Sequence, residues 1–279
     1  MPYKTLIVSW DDRPAAQHRL AAALALAQKF EAHVSVLCFG LQPGIPAFGY
    51  GEFSGEMVAV QIEEARKEAQ ERKAAAEAVL QRSGQRGDVR AEVAMLEGLA
   101  ATFGAAVRYA DLAIVGQPYG EAGGPEQVAV LDGALYDGDV PVLVCPPAPV
   151  AQIGARVVIA WNGTRESMRA VRRAMPFLLT AEAVELVLVD PEIGDPGEGE
   201  EPGAAIALKL SRHGIDVEVA RLPSLGRPVA EVLRQHIADR GADLLVMGAY
   251  GHSRLREFVL GGTTRDILRD VPVPVLMAH

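Results

Sequence analysis

The sequence predicts a duplicated α/β fold: two consecutive domains, each a parallel sheet covered on both faces by helices. Three observations predict it. Short, continuous apolar runs alternate with longer helix-patterned stretches, the mark of strands buried on both faces. Segments recur in the same order, which is the sequence signature of an internal repeat. Thr5-Leu6-Ile7-Val8-Ser9-Trp10 returns as Val157-Val158-Ile159-Ala160-Trp161 with Trp10 matching Trp161, and Asp111-Leu112-Ala113-Ile114-Val115-Gly116 as Asp243-Leu244-Leu245-Val246-Met247-Gly248. Val140-Pro141-Val142-Leu143-Val144 returns as Val273-Pro274-Val275-Leu276-Met277. The third observation is a break between the copies, Pro146-Pro147-Ala148-Pro149-Val150, which holds no regular element and reads as a linker. The expected domains are therefore 1 to 147 and 153 to 279.

In the first copy, strands are expected at about Thr5 to Ser9, Val34 to Phe39, Val89 to Ala94, Leu112 to Gly116 and Val140 to Val144. Ala15 to Phe30 is rich in alanine and leucine and reads as a helix. Gly40 to Gly55 is a mixture of Gly, Pro and aromatics leading into a long helix from Glu56 to Ser83, with Glu63/Lys67 and Glu68/Arg72 at supportive four-residue spacing. In the second copy, strands are expected at Val157 to Ala160, Val184 to Val189, Asp216 to Arg221, Leu244 to Gly248 and Pro274 to Met277. Helices fall at Arg165 to Leu178, Ala204 to His213, Arg227 to Arg240 and Thr263 to Arg269. Glu192 to Gly203, a Gly, Pro and Glu mixture, reads as a solvated loop rather than a cation site.

Bulk properties narrow the function. A chain of 279 residues, 49% hydrophobic and 23% charged, is long enough for two ordinary cores. With 36 acids against 27 bases, its net charge of -9 gives no general attraction to nucleic acid or an anionic membrane. No apolar run approaches a membrane span and the first residues enter a strand pattern at once, so a cytoplasmic location is expected. The two cysteines, Cys38 and Cys145, sit in apolar strand runs and read as small core residues. No CxxC, HExxH or other ligand spacing appears, so no metal site is expected.

Chemistry concentrates near the C-terminus. The strand Asp243 to Met247 runs into Gly248-x2-Gly251-x9-Gly261 and then Gly262-Thr263-Thr264. A strand, a glycine turn and a helix start leave backbone N–H groups and a helix dipole facing outward, an arrangement suited to a phosphate chain. The competing reading makes these ordinary turn glycines. The equivalent stretch of the first copy reads Gln117-Pro118-Tyr119-Gly120-Glu121-Ala122-Gly123-Gly124-Pro125-Glu126. There Pro118 and Pro125 remove donors and Glu121 and Glu126 oppose a polyphosphate, so this half is expected to be a structural or regulatory partner.

With this glycine spacing and the duplicated unit around it, the chain resembles the universal stress protein family over nearly its whole length, in the tandem form with two domains per polypeptide. The resemblance implies five-stranded parallel α/β sandwiches of Rossmann-like, adenine nucleotide alpha hydrolase-like type. It also implies that Val140 to Val144 and Val273 to Met277 pair as edges of an intramolecular pseudo-dimer. Nucleotide-binding relatives place phosphates on the glycine loop and an acidic residue near the adenosine. Carried over, the cofactor-binding residues are Asn162, Gly163, Asp190, Gly248, Gly251, His252, Arg254, Gly261, Gly262, Thr263 and Thr264, with ATP or AMP as the cofactor class. Two positions depart from the pattern: Gly262 stands where Ser or Thr is usual, and Asn162 stands where an acid is usual.

The P-loop Gly-Lys-[Ser/Thr], the GxGxxG turn after the first strand and the GxSxG elbow are absent from the sequence, and no catalytic residue is assigned. The expected function is a non-catalytic stress-response regulator that binds an adenine nucleotide in its C-terminal half. The alternatives are a ligand-free interaction scaffold and, with least support, a weak ATPase. Expected partners are an adenine nucleotide and regulatory proteins of unspecified identity, with a homodimer as a further assembly.

Overall fold

Strand β1, Thr5–Trp10, organises the N-terminal half, in a computed structural model that describes residues 2–42, 44, 55–192, 200–249 and 262–279. It is buried from Leu6 onward and takes parallel partners on both sides. β2, His33–Gln42, lies along one edge from Thr5↔His33 to Trp10↔Cys38, and β4, Leu112–Gly116, along the other from Leu6↔Leu112. β3, Gly87–Met95, continues the sheet beyond β2, giving the order β3-β2-β1-β4. Asp111 fixes the start of this arrangement, because its carboxylate accepts the N–H groups of Lys4 and Thr5 at 2.7 and 2.9 Å.

The helices follow from their small residues. α1, Ala15–Phe30, buries Ala16, Leu20, Ala23 and Ala27 on one stripe and stops where Glu31 turns left-handed at φ 52°. α2, Gly55–Ser83, lies against β2 so closely that a Cβ on Gly40 would sit 1.7 Å from the Ala65 carbonyl oxygen. On α2 the expected Glu68/Arg72 pair forms at 2.8 Å. Glu63 pairs with Arg66 at 3.6 Å instead of Lys67, which turns to Glu71 at 3.8 Å. These partners are exposed, and alternatives at i,i+3 and i,i+4 differ little in energy.

Two helices were not placed from the sequence: α3, Leu96–Val107, and α4, Pro125–Asp132, which runs into a π-helical turn at Gly133–Asp137. A Cβ on Gly104 would lie 2.4 Å from the Asp137 Cβ and 2.7 Å from the Gly133 carbonyl, so glycine here permits close helix packing rather than ending a helix.

The C-terminal unit gathers Val150–His279 together with Pro141–Pro146. Its strands are β5, Val142–Cys145; β6, Arg156–Ala160; β7, Ala183–Val189; β8, Val217–Leu222; β9, Leu244–Gly248; and β10, Val275–Ala278. Their order is β5-β10-β9-β6-β7-β8. All neighbours run parallel except β5 and β10, which are antiparallel with Leu143↔Leu276 in register. The two closing segments of the repeat thus pair edge to edge, which covers strand edges that would otherwise be exposed.

Helices α5, Arg165–Leu178; α6, Ala204–Ser211; α7, Val229–Arg240; and α8, Thr263–Arg269, begin and end within three residues of their expected limits. Asp243 repeats the role of Asp111, accepting the N–H groups of Gly154, Ala155 and Arg156. Trp10 and Trp161 are both buried, which favours packing over stacking on a base. Both cysteines are buried and neither is in a disulfide. Among the described residues no helix is long and apolar enough to cross a membrane.

Candidate functional site

Chain direction locates the site. From β6 the strand order proceeds through β7 to β8, then resumes on the other side of β6 with β9 and β10. The crevice at the carboxyl ends of β6 and β9 is therefore a topological switch point, where open α/β sheets take their ligands. The carboxyl ends of β1 and β4 form the corresponding place in the N-terminal half.

At the C-terminal switch point, the chain leaves β6 through Trp161, Asn162 and Gly163, the last at φ 71°. Thr164 caps α5, its hydroxyl accepting the Ser167 N–H at 3.3 Å. The Thr164 hydroxyl donates to Asn162 Oδ1 at 2.9 Å, so the amide oxygen expected to face a ribose or adenine already serves this turn. Gly248 is required where it stands. A Cβ there would lie 2.6 Å from Ser167 N and 2.8 Å from the Glu166 carbonyl carbon, which brings the end of β9 against the first turn of α5. Ala249 is held by the chain end: His279 Nδ1 lies 3.1 Å from its carbonyl oxygen, and Arg169 Nη1 donates to the His279 carbonyl at 2.6 Å.

Gly251, His252, Arg254 and Gly261 lie outside the described residues. The chain resumes at Gly262, the N-cap of α8, with φ -71° and ψ 146°, a conformation open to any residue. Among the described residues, a Cβ on Gly262 would meet nothing within 4 Å. Thr263 is half-buried, while Thr264 is buried, leaving Thr263 the more accessible hydroxyl. Asp190, after β7, is exposed and adopts φ 46°. Its carboxylate accepts the Ser224 N–H at 2.9 Å, and the side-chain and backbone hydrogen bonds from Ser224 hold its pKa below the usual carboxylate range. The structure therefore ties Asp190 to the turn after β8.

The N-terminal counterpart is built differently. Asp11, buried after β1, accepts the Arg13 N–H at 2.9 Å, Arg19 Nη2 at 3.0 Å and Gln127 Nε2 at 3.1 Å. Burial pushes its carboxyl up, but Arg19, the Arg13 N–H and Gln127 together hold it below the usual range. Arg19 is only 2% exposed and also donates to the Ser9 carbonyl at 2.7 Å. Arg13 reaches into the loop after β4 and donates to the carbonyl oxygens of Ala122 and Gly123. That loop solvates a cation, the reverse of the polarity a phosphate requires.

A third arginine closes the same place. Arg72 of α2 donates to Asp12 at 2.7 Å, Glu68 at 2.8 Å, Glu126 at 3.1 Å and the Phe39 carbonyl. Glu126 is thus engaged inside the fold, whereas Glu121 is exposed. Burial, with Asp11, Glu68 and Asp12 nearby, outweighs Arg72 and raises the Glu126 pKa to about 7. Sequence reasoning missed Arg13, Arg19 and Arg72. An arginine in an otherwise alanine-rich buried helix stripe, such as Arg19 in α1 or Arg72 after Ala65 and Ala69, was the available signal.

The model of the Universal stress protein family matches residues 155–279. The universal stress protein Slr1230 of Synechocystis sp. is 33% identical over 137 residues, which cover 49% of this chain and 46% of that protein. The chain thus spans about half the length of that relative. The universal stress protein MJ0531 of Methanocaldococcus jannaschii is 26% identical over 139 residues, 44% of this chain and 80% of its own length. In fold, the chain is similar to a universal stress protein from Archaeoglobus fulgidus, with a TM-score of 0.72 over 98% of this chain and 95% of that one at 15% identity. The likeness in sequence to the universal stress protein family thus falls on the C-terminal half, residues 155–279.

Proposed function

We propose that the C-terminal half binds one adenine nucleotide, ATP or AMP, without turning it over, and that the N-terminal half is its ligand-free structural or regulatory partner. The contrast between the two switch points carries this reading. At β6 the strand runs out into Asn162 and Gly163, at β9 into Gly248 and Ala249, and among the described residues nothing lies within 4 Å of a Cβ placed on Gly262. At β1 and β4 the same place is filled by Arg13, Arg19 and Arg72 with their carboxylate and carbonyl partners.

In this reading the glycine loop supplies N–H donors to the phosphates, and Thr263 contributes a hydroxyl one position later than Ser or Thr at 262 would. Asn162 and Asp190 border the nucleoside end. Ligand state tunes association with regulatory proteins in the cytoplasm.

The test is direct. Protein purified without added nucleotide is denatured and its supernatant assayed for ATP, ADP and AMP, then the apo protein is titrated calorimetrically. The expected result is bound or titratable nucleotide that disappears in the folded Gly251→Val/Gly261→Val variant, with phosphate release at background. No released nucleotide and no heat at millimolar ATP would assign the scaffold function instead.

A further inference from the structure

The N-terminal half contains a charge arrangement that its own pairs do not balance. Arg72 is buried and joins four parts of the fold: Asp12 after β1, the Phe39 carbonyl of β2, Glu68 on its own helix and Glu126 in the first turn of α4. Three carboxylates therefore share one guanidinium. The neighbouring cations are committed elsewhere, Arg19 to Asp11 and Ser9 and Arg13 to the carbonyls of Ala122 and Gly123. Next to Glu126, the Gln127 side chain donates one hydrogen bond from Nε2 to Asp11 and leaves Oε1 buried without a partner. The charged groups acting on Glu126 are Asp11 and Asp12 of the β1 loop and Glu68 and Arg72 of α2.

We propose that the Glu126/Arg72 contact is a proton-operated latch. With Glu126 neutral, residues 117–126 are held against α2 and the β1 loop; with Glu126 ionised, the excess negative charge around Arg72 releases them. Asp12 and Glu68 hold Arg72 at shorter distance than Glu126 does, so Glu126 is the member displaced.

The geometry sets the operating range. Burial and the surrounding carboxylates raise the Glu126 pKa from 4.5 to about 7, so the closed form keeps its proton to near-neutral pH while an opened, solvated Glu126 loses it. A group moving between those two values makes the opening constant about thirty-fold larger at pH ~8 than at pH ~5.5.

Hydrogen exchange of peptides covering 117–132 tests this, with wild type and Glu126→Gln compared at each pH so that intrinsic exchange cancels. The expected result is protection in wild type that falls roughly thirty-fold over this range while the variant stays constant. Parallel profiles in the two proteins would overturn the proposal. Should Glu126→Gln not fold, a carbon-13 titration of the Glu126 carboxyl in wild type decides. A midpoint near 7 coincident with the loss of protection upholds the latch, and a midpoint near the ordinary glutamate value, or protection that ignores the titration, refutes it.

Discussion

Arg13 Nη1 donates to the carbonyl oxygen of Gly123 at 2.7 Å, closing the N-terminal loop with its carbonyls turned toward a cation. Arg13→Ala leaves those acceptors without this donor. The variant is expected to lose about 1–2 kcal/mol of stability by urea denaturation. It gains no affinity for ATP, because Pro118 and Pro125 still lack N–H groups and Arg72 still fills the cluster. Calorimetry of Arg13→Ala in the Gly251→Val/Gly261→Val background isolates the N-terminal half. Nucleotide heat there would show that Arg13 alone blocks a competent site.

Arg19→Ala strands Asp11 as a buried charge. Arg19 is 2% exposed and Asp11 5%, and removing one partner from such a pair costs about 3–5 kcal/mol. The double variant Arg19→Met/Asp11→Leu, which removes both charges, should recover much of that loss. Urea midpoints of the single and double variants measure the difference.

Two groups give opposite branches to the pH profile of stability. Asp11 has a depressed folded pKa, so its contribution is complete above its unfolded value near 3.8 and is lost as pH falls through the folded one. Glu126 has a raised folded pKa, so its contribution is complete below 4.5 and is lost as pH rises through about 7. Urea midpoints between pH ~3 and ~8 should rise and then fall. Glu126→Gln flattens the upper branch and leaves the lower one.

Gly248→Ala places a methyl against the Ser167 nitrogen and the Glu166 carbonyl carbon, both backbone atoms of α5. Accommodation requires β9 or α5 to shift, at about 1–3 kcal/mol. Nucleotide affinity should fall with stability, because the shift occurs at the root of the glycine loop. Unchanged denaturation and titration curves would show that this contact is slack.

Cys38 should be unreactive in the native protein. Burial raises its thiol pKa to about 12, leaving almost no thiolate at neutral pH. Cys145 is buried as well. An aromatic disulfide reagent is expected to titrate neither thiol until denaturant is added.

The repeat made most of the fold legible. Trp10 with Trp161 and Asp111 with Asp243 aligned the copies, and continuous apolar runs then placed the strands. α3 and α4 were not placed, and the glycines within and beside them serve packing: a Cβ on Gly104 or Gly133 would strike a neighbouring element. The N-terminal site was legible in what it lacked, two N–H groups at Pro118 and Pro125. What fills it was not. Arg13 and Gly123 are separated by 110 residues and Arg72 and Glu126 by 54, and local spacing carries no record of such partners. Asn162 was carried over as a nucleotide-binding residue, and its side-chain oxygen accepts the hydroxyl of Thr164, two residues on, a local contact that the motif spacing did not record.

The central claim is that one half of this duplicated chain binds a nucleotide and the other does not. Equilibrium dialysis of the full chain against labelled ATP, with the nucleotide raised well past saturation, counts sites directly. The account predicts a plateau at one nucleotide per chain, abolished by Gly251→Val/Gly261→Val. A plateau at two, or an unchanged plateau in that folded variant, would contradict it.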